Sequence, residues 1–180
     1  QRLGPVMVHE RRQVGDLDRW AAGAGLSVAV VEADKGILVG DVELVADERT
    51  FRAASMVVVR GWGRKEPSRA VLAREYAEAV TDLAAWSSFR VLASVRGEPA
   101  AVGGCTLRGE VAHLWGGVTV REYRRRGAYR AVLAERLRLA RAHGATLALV
   151  KGRAETSGPI LLRSGFLAYS EERCYWLPVV

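Results

Sequence analysis

Apolar positions recur along this chain with two periods, every second residue in some stretches and every third or fourth in others, and the alternation divides it into strands and helices. Phe89 to Arg96, Pro99 to Leu107 and Val111 to Val120 read as three strands in succession, separated only by Gly97-Glu98 and by Arg108-Gly109-Glu110. Connections so short, each with a glycine, fit an antiparallel meander. Ahead of it, Asp41 to Ala46 alternates as a strand does, and Asp47 stands where a helix cap belongs, before Phe51, Ala54, Val58 and Trp62 at intervals of three and four. The β-branched run Val57 to Val59 leaves a strand as the alternative there. Pro67 and Ser68 open a second helix, whose apolar stripe is Leu72, Tyr76, Ala79, Val80 and Leu83.

Beyond the meander, Arg126 to His143 has the pattern of an amphipathic helix. Val132, Leu133, Leu137, Leu139 and Ala140 turn inward, arginines turn outward, and Gly144 closes it. Ala145 to Val150 is continuously apolar, as in a strand covered on both faces. Ser157 to Arg163 is a short helix ending at Gly165, and Phe166 to Tyr169 with Arg173 to Pro178 make a closing hairpin. Near the start, His9 to Ala24 is weakly helical around Leu17 and Trp20, and Leu26 to Glu32 reads as a buried strand. We expect residues 1–40 to be an appendage and 41–180 the main domain. Because the chain opens on Gln1 rather than Met, the appendage is expected to be part of a larger unit. The order of elements predicts an α/β (α+β) fold around a sheet of mixed, mostly antiparallel direction.

The 180 residues suffice for one full core. No apolar run approaches the ~20 residues that span a bilayer, and no signal peptide is evident, so a cytoplasmic location is expected. Cys105 and Cys174 lie far apart with no His or Cys at metal-ligand spacing, which predicts buried thiols and no metal. The net charge is +7, and of the 27 basic residues only Lys35, Lys65 and Lys151 are lysine. Such a charge suits nucleic acid, a membrane surface or an anionic cofactor, and arginine's planar fork favours phosphate oxygens.

The arginines concentrate at one junction. Val118-Thr119-Val120 ends a strand, and Arg124-Arg125-Arg126-Gly127-Ala128-Tyr129-Arg130 opens the long helix. Unpaired N–H groups at a helix start, together with its partial positive charge, accept a pyrophosphate. Gly127 and Ala128 do not hold a phosphate off the backbone. Arginines there oppose the helix dipole by about 0.3–1 kcal/mol each, so three together invite an anion, although an isolated run of this kind is more commonly a solvated face. No P-loop and no dinucleotide-binding Gly-x-Gly-x-x-Gly is present.

This junction, Thr119-Val120-Arg121-Glu122-Tyr123-Arg124-Arg125-Arg126-Gly127-Ala128-Tyr129, resembles the main signature of the GCN5-related N-acetyltransferase family, a strand leading into Arg/Gln-x-x-Gly-x-Gly/Ala. Ser157-Gly158-Pro159-Ile160-Leu161-Leu162-Arg163-Ser164-Gly165-Phe166 resembles a second family motif, and the likeness covers roughly Asp41 to Val180. The resemblance implies a sheet splayed between two parallel strands, Val111–Val120 and Ala145–Val150. The pantetheine arm of acetyl-CoA, the acyl donor, would pair there with Gly117, Val118 and Thr119. The pyrophosphate would sit on the amides of Arg125, Arg126, Gly127, Ala128, Tyr129 and Arg130, and Thr156 would contact the cofactor or cap the next helix. Gly116-Gly117 reads as a bulge, which also splays strands.

The sequence departs from the family pattern at several positions. Tyr129 replaces the last small residue of the phosphate turn, where it narrows the seat or stacks on the cofactor, and Arg121 replaces a proline. The tyrosine that protonates the leaving thiolate in many members is Leu161 here, a frequent asparagine is Ala154, and a glutamate of the central strand is Leu149. His113 as base and Tyr169 as acid are the candidates that remain, each with packing as the plainer role. Glu110, in a turn, reads as solvated; Glu155 and Thr156 lie where the second motif opens, with Thr156 or Ser157 as the cap of its helix. The expected function is transfer of an acetyl group to an amine whose identity the sequence does not carry, and Trp62, Trp86 and Trp115 are candidates to line its pocket. The alternative is a degenerate module that binds CoA or a protein partner without turnover. Expected partners are thus an acyl-CoA and an amine, with a homodimer as candidate assembly, no membrane, and no nucleic acid for want of a recognition motif.

Overall fold

A computed structural model of the chain describes residues 6–10, 42–168 and 173–177, with side chains over 42–168. In chain order the elements are strand β1 (Val6–Glu10), β2 (Val42–Leu44), helix α1 (Glu48–Trp62), α2 (Arg69–Ala84), β3 (Ser88–Val95), β4 (Glu98–Arg108), β5 (Val111–Thr119), α3 (Ala128–Ala142), β6 (Leu147–Val150), α4 (Ser157–Arg163) and β7 (Arg173–Leu177). They fall into two compact units, one of residues 28–151 and one of residues 1–27 with 152–180.

The larger unit is built on a five-stranded sheet of order β2-β3-β4-β5-β6, antiparallel throughout except for the parallel pair β5 and β6. The meander forms because the turns at Arg96-Gly97 and Gly109 adopt positive φ, +55° and +81° in the first and +55° in the second, which glycine supplies cheaply. Leu92, Val102 and Val118 stand in lateral register and pack with Phe51, Ala54 and Val57 of α1. Side chains alternate along a strand. Val102 therefore faces α1 while Gly103 faces Arg136 of α3, which places the two helices on opposite faces of the sheet.

Asp47 caps α1 as its sequence predicts. Thr50 N donates to Asp47 Oδ1 at 2.7 Å, and Asp47 N donates in return to Thr50 Oγ1 at 3.2 Å. The helix wins over the strand alternative at Val57–Val59, but its buried face is Thr50, Phe51, Ala54 and Val57, leaving Val58 half-buried and Trp62 43 % exposed. The stripe predicted for α2 is only half-covered: Leu72, Tyr76 and Ala79 pack against the core beneath α1, but none of the helix's residues is buried and Val80 is exposed.

Other expectations are corrected. α3 begins at Ala128 rather than Arg126, and Arg136, expected outside, is buried. β6 is not covered on both faces, since Leu149 remains 41 % exposed. In the smaller unit Phe166 to Ala168 form no strand, and the partner of β7 is β1, from Val6 opposite Leu177 to Glu10 opposite Arg173. His9 and Glu10, read as the start of a weak helix, are accordingly strand. The remainder of that segment, the strand expected at Leu26 to Glu32, and Tyr169 lie outside the described residues.

Hydrogen bonds from Thr50 and the charge of Arg49 hold the Asp47 carboxyl below its ordinary value of 3.8. A depressed carboxyl pKa stabilises the fold above 3.8 and loses that effect as pH falls through the native value. Asp47→Ala should therefore lower the urea midpoint at neutral pH, and the gap from wild type should close in acid. A gap of unchanged size at pH 3 would show that the cap acts through something other than the carboxylate.

Candidate functional site

The site begins with one surplus residue. Trp115 of β5 pairs with Gly104 of β4 and Val118 pairs with Val102, so that Gly116 and Gly117 together oppose Gly103. Gly116 takes φ +65°, a left-handed geometry that relieves the mismatch without a Cβ to strain. On the other edge of β5 the parallel pairing with β6 runs from Val111 opposite Leu147 to Leu114 opposite Val150 and then stops. β6 ends at Val150, so that from Trp115 to Thr119 β5 offers an edge that no strand of its sheet covers among the described residues.

That opening leads to the start of α3. Val120 is followed by a 3-10 turn at Arg121–Tyr123, Arg125 adopts φ +62°, and Gly127 adopts φ +80° as the cap residue of α3. Arginine in the left-handed region costs about 1–2 kcal/mol, a strain that Arg125 shares with Arg96 of the first hairpin turn. The first intrahelical bond is Ala131 N to Gly127 O, and no side chain caps the helix, so the N–H groups ahead of it lack intrahelical partners. Arg124, Arg125 and Arg126 are exposed, and among the described residues none has a carboxylate in ion-pair range. Arg124 Nε donates to Thr119 O at 3.3 Å, which ties the turn to the end of β5. Thr119 Oγ1 is buried and has no partner. Uncapped amides, unpaired arginines and an orphaned hydroxyl fit the pyrophosphate and arm of a CoA thioester.

Tyr129 turns inward from this seat. A Cβ on Gly117 would lie 3.0 Å from Tyr129 Cε2 and 3.5 Å from its hydroxyl oxygen, so the ring rests against bare backbone. Its phenol faces Arg136, which is 1 % exposed. Arg136 Nη1 donates to Gly104 O at 3.1 Å and to Trp115 O at 3.3 Å, on the two strands flanking the bulge, and Nε donates to Val132 O at 3.2 Å. Nη2 is buried with no hydrogen-bond partner among the described residues, while the Tyr129 hydroxyl lies close to the guanidinium. Burial lowers the Arg136 pKa from its ordinary value, with Tyr129 and Cys105 opposing. Burial also pushes the Cys105 thiol up to about 11, against the pull of Arg136.

On the α1 face, a cavity of about 430 Å³ reaches the bulge. Its floor is Arg90, Gly104, Trp115 and Gly116, and its walls include Trp62 with Glu75, Glu78 and Asp82 of α2. The Trp115 indole lies over Gly104, where any side chain would collide with it, and donates Nε1–H to Thr106 Oγ1 at 2.9 Å. The Arg90 guanidinium stands 5.1 Å from the Phe51 ring centroid and 5.5 Å from that of Trp115. Burial lowers its pKa, while Glu75 and Asp82 act the other way.

The structure thus brings Gly117, Val118, Thr119, Arg125, Arg126, Gly127, Ala128, Tyr129 and Arg130 to one opening. His113 is exposed on β5, opposite Leu149 and just before the pairing with β6 ends, and does not line the cavity. Thr156 precedes α4 in the smaller unit, and its side chain caps nothing; Ser157 Oγ instead accepts from Arg153 N at 2.9 Å. Tyr169 lies outside the described residues. Trp62 and Trp115 line the cavity, whereas Trp86 stacks on His143 with ring centroids 3.5 Å apart. Arg136 and Arg90 were missed. For Arg136 the signal is its spacing from Val132, Leu133, Leu139 and Ala140, which sets it on the apolar stripe; Glu75, Glu78 and Asp82 likewise share one face of α2.

A mostly antiparallel sheet opened beside a bulge, with a helix start at the opening, is the fold of the GCN5-related N-acetyltransferases. Among solved structures, glucosamine-6-phosphate N-acetyltransferase from Arabidopsis thaliana matches at TM-score 0.61 and 12% identity, over 73% of this chain and 95% of that one. An aminoglycoside N-acetyltransferase in complex with CoA matches at TM-score 0.62 and 16% identity, over 74% and 91%. A protein described as a transcriptional regulator from Bacillus halodurans shares the fold at TM-score 0.62 and 15% identity, over 74% and 95%. No model of a protein family matches the sequence, and no curated protein matches it significantly. Among the described residues no helix is long and apolar enough to cross a membrane, and no group of side chains is arranged to hold a metal ion.

The bulge depends on bare backbone at Gly103, where a Cβ would stand 2.7 Å from Arg136 Cζ. Gly103→Ala should push the guanidinium off Gly104 O and Trp115 O and cost about 1–3 kcal/mol in denaturant unfolding. A loss below about 0.5 kcal/mol would mean that Arg136 is not wedged there.

Proposed function

We propose that this chain transfers an acetyl group from acetyl-CoA to an amine that enters through the cavity between α1, α2 and the sheet. The observation that carries the reading is the opening of β5 beyond Leu114, which runs past the bulge directly to the uncapped start of α3. An arm laid along that edge takes up the unpaired strand backbone as an added strand does. Its pyrophosphate then meets the orphan amides of Gly127 to Arg130, flanked by Arg125 and Arg126. The thioester comes to the bulge, where the cavity floor at Gly116 admits a nucleophile from the other face. Holding amine and thioester in register is itself worth up to about 7–11 kcal/mol of barrier.

The cavity wall bears on the acceptor. Glu75, Glu78 and Asp82 recur at intervals of three and four on one face of α2. Glu78 has only a 3.9 Å pair with Arg74, and Asp82 accepts from Ser87. Arg64 and Arg90 line the same cavity, and Glu75 and Asp82 act on Arg90. The three carboxylates outnumber these cations and favour an acceptor carrying positive charge beyond the amine that reacts, since the attacking nitrogen must itself be neutral. A module that binds CoA without turnover is the second reading, favoured by Leu161 at the position of the usual acid.

Calorimetric titration with acetyl-CoA tests the donor site. Micromolar binding is expected, and Arg125→Glu with Arg126→Glu should weaken it more than about tenfold, roughly 1.4 kcal/mol, without unfolding the chain. Unchanged affinity in a folded double variant would remove the phosphate assignment, and absence of binding by wild type would remove the donor. For the acceptor, Glu75→Gln with Glu78→Gln should raise KM for a diamine several-fold and leave KM for a neutral-bodied monoamine nearly alone. Equal effects on both would detach the carboxylates from recognition.

A further inference from the structure

We infer that Tyr129, backed by the buried guanidinium of Arg136, is the acid that protonates the departing thiolate. The inference rests on the acetyl-transfer reading above. Collapse of the tetrahedral intermediate breaks the carbon–sulfur bond and leaves its electron pair on sulfur, so a proton must be at hand. Leu161 offers none.

Tyr129 lies on the path of the arm. It is the second residue of α3, one position past Ala128, so its backbone belongs to the phosphate seat while its ring runs inward to Gly117. The hydroxyl is the far end of that ring. It sits 3.5 Å from the Cβ position of Gly117 and beside a guanidinium whose Nη1 reaches Trp115 O. Gly117 belongs to the bulge and Trp115 stands at its edge. An arm that runs from the helix start along Thr119 and Val118 therefore brings its sulfur to the side of the bulge where the phenol waits.

Arg136 explains why a phenol suits this place. It is a buried cation with one donor group unpaired, and among the described residues no carboxylate pairs with it. Such a group is costly to keep unless it meets an anion at some stage. The adjacent thiol of Cys105, pushed up to about 11, remains neutral at physiological pH and cannot serve. A phenolate formed at Tyr129 can. In the proposed step the amine nitrogen bonds to the acetyl carbon, the carbon–sulfur bond breaks, and the Tyr129 proton passes to sulfur. The phenolate is held by Arg136 Nη2. The proton shed by the amine leaves to solvent, and solvent returns one to Tyr129 before the next cycle.

Tyr129→Phe keeps the ring against Gly117 and removes only the hydroxyl. Its kcat should fall about a hundredfold, the scale of general acid catalysis, while calorimetric affinity for acetyl-CoA stays within about threefold of wild type. Arg136→Met should also lower kcat, and because the guanidinium both ties the bulge and backs the phenol, the loss should be clearly smaller in the Tyr129→Phe background than in wild type, the difference being the share that passes through the phenol. A Tyr129→Phe rate within about threefold of wild type would overturn the inference, as would a loss confined to acetyl-CoA affinity. Fully additive losses in the double variant would overturn the part assigned to Arg136. Failure of the wild type to bind acetyl-CoA is a different result, one that removes the underlying reading and this inference with it.

Discussion

Arg136 reaches the backbone carbonyls of both strands at one end of the bulge, and most of the site follows from that contact. One guanidinium on α3 holds Gly104 O and Trp115 O at the level where Gly116 and Gly117 crowd opposite a single residue. A bulge without such a tie is free to migrate along its strand; here the register beyond it is fixed, from Val102 opposite Val118 to Ala101 opposite Thr119. Glycines make the arrangement possible from three sides. Gly103 lets the guanidinium lie on backbone, Gly104 lets the Trp115 indole lie flat, and Gly117 makes room for Tyr129. The burial of a charged side chain in a core is ordinarily a poor way to gain stability. Its use here fits a structure that spends stability on geometry at one point.

In the proposed reaction the two substrate routes meet at this point from opposite faces. The donor route follows the strand edge to a helix start ringed by arginine, while the acceptor route crosses a cavity walled by carboxylates. Both depend on α1 and α3 lying on different sides of the sheet, which in turn depends on strand alternation from Val102 to Gly103. Helix α2 is part of the same logic. Its half-covered stripe is the reason a cavity exists between it and the strands, since a fully packed α2 would fill the space with its own side chains.

Much of this was legible from residue order. The meander, the capped α1 and the strand-to-helix junction are encoded by local chemistry: short glycine turns, Asp47 with Thr50, and Gly127 before an apolar stripe. Long-range features were not. The pairing of β7 with β1 joins opposite ends of the chain, and nothing near Phe166 reveals that its expected hairpin partner is elsewhere. Arg136 escaped notice because arginine on a helix is normally solvated, and only the carbonyls freed by a bulge on another element give it partners. For Tyr129 the sequence leaves open whether the ring narrows the phosphate seat or stacks on the cofactor, because it shows what the residue replaces and not where its ring goes. The wall of Glu75, Glu78 and Asp82 was visible as a spacing, but a spacing acquires meaning only when the opposite surface is hollow.

The Cys105 thiol has a consequence for the order of events in the proposed reaction. Sealed in β4 and held protonated, it is closed to acylation, so it cannot act as a way station between donor and acceptor. With entrances on separate faces, both substrates can be seated at once. The chemistry then calls for direct handover within a three-component complex, and the opposite electrostatic signs of the two entrances keep each substrate from lodging in the doorway of the other.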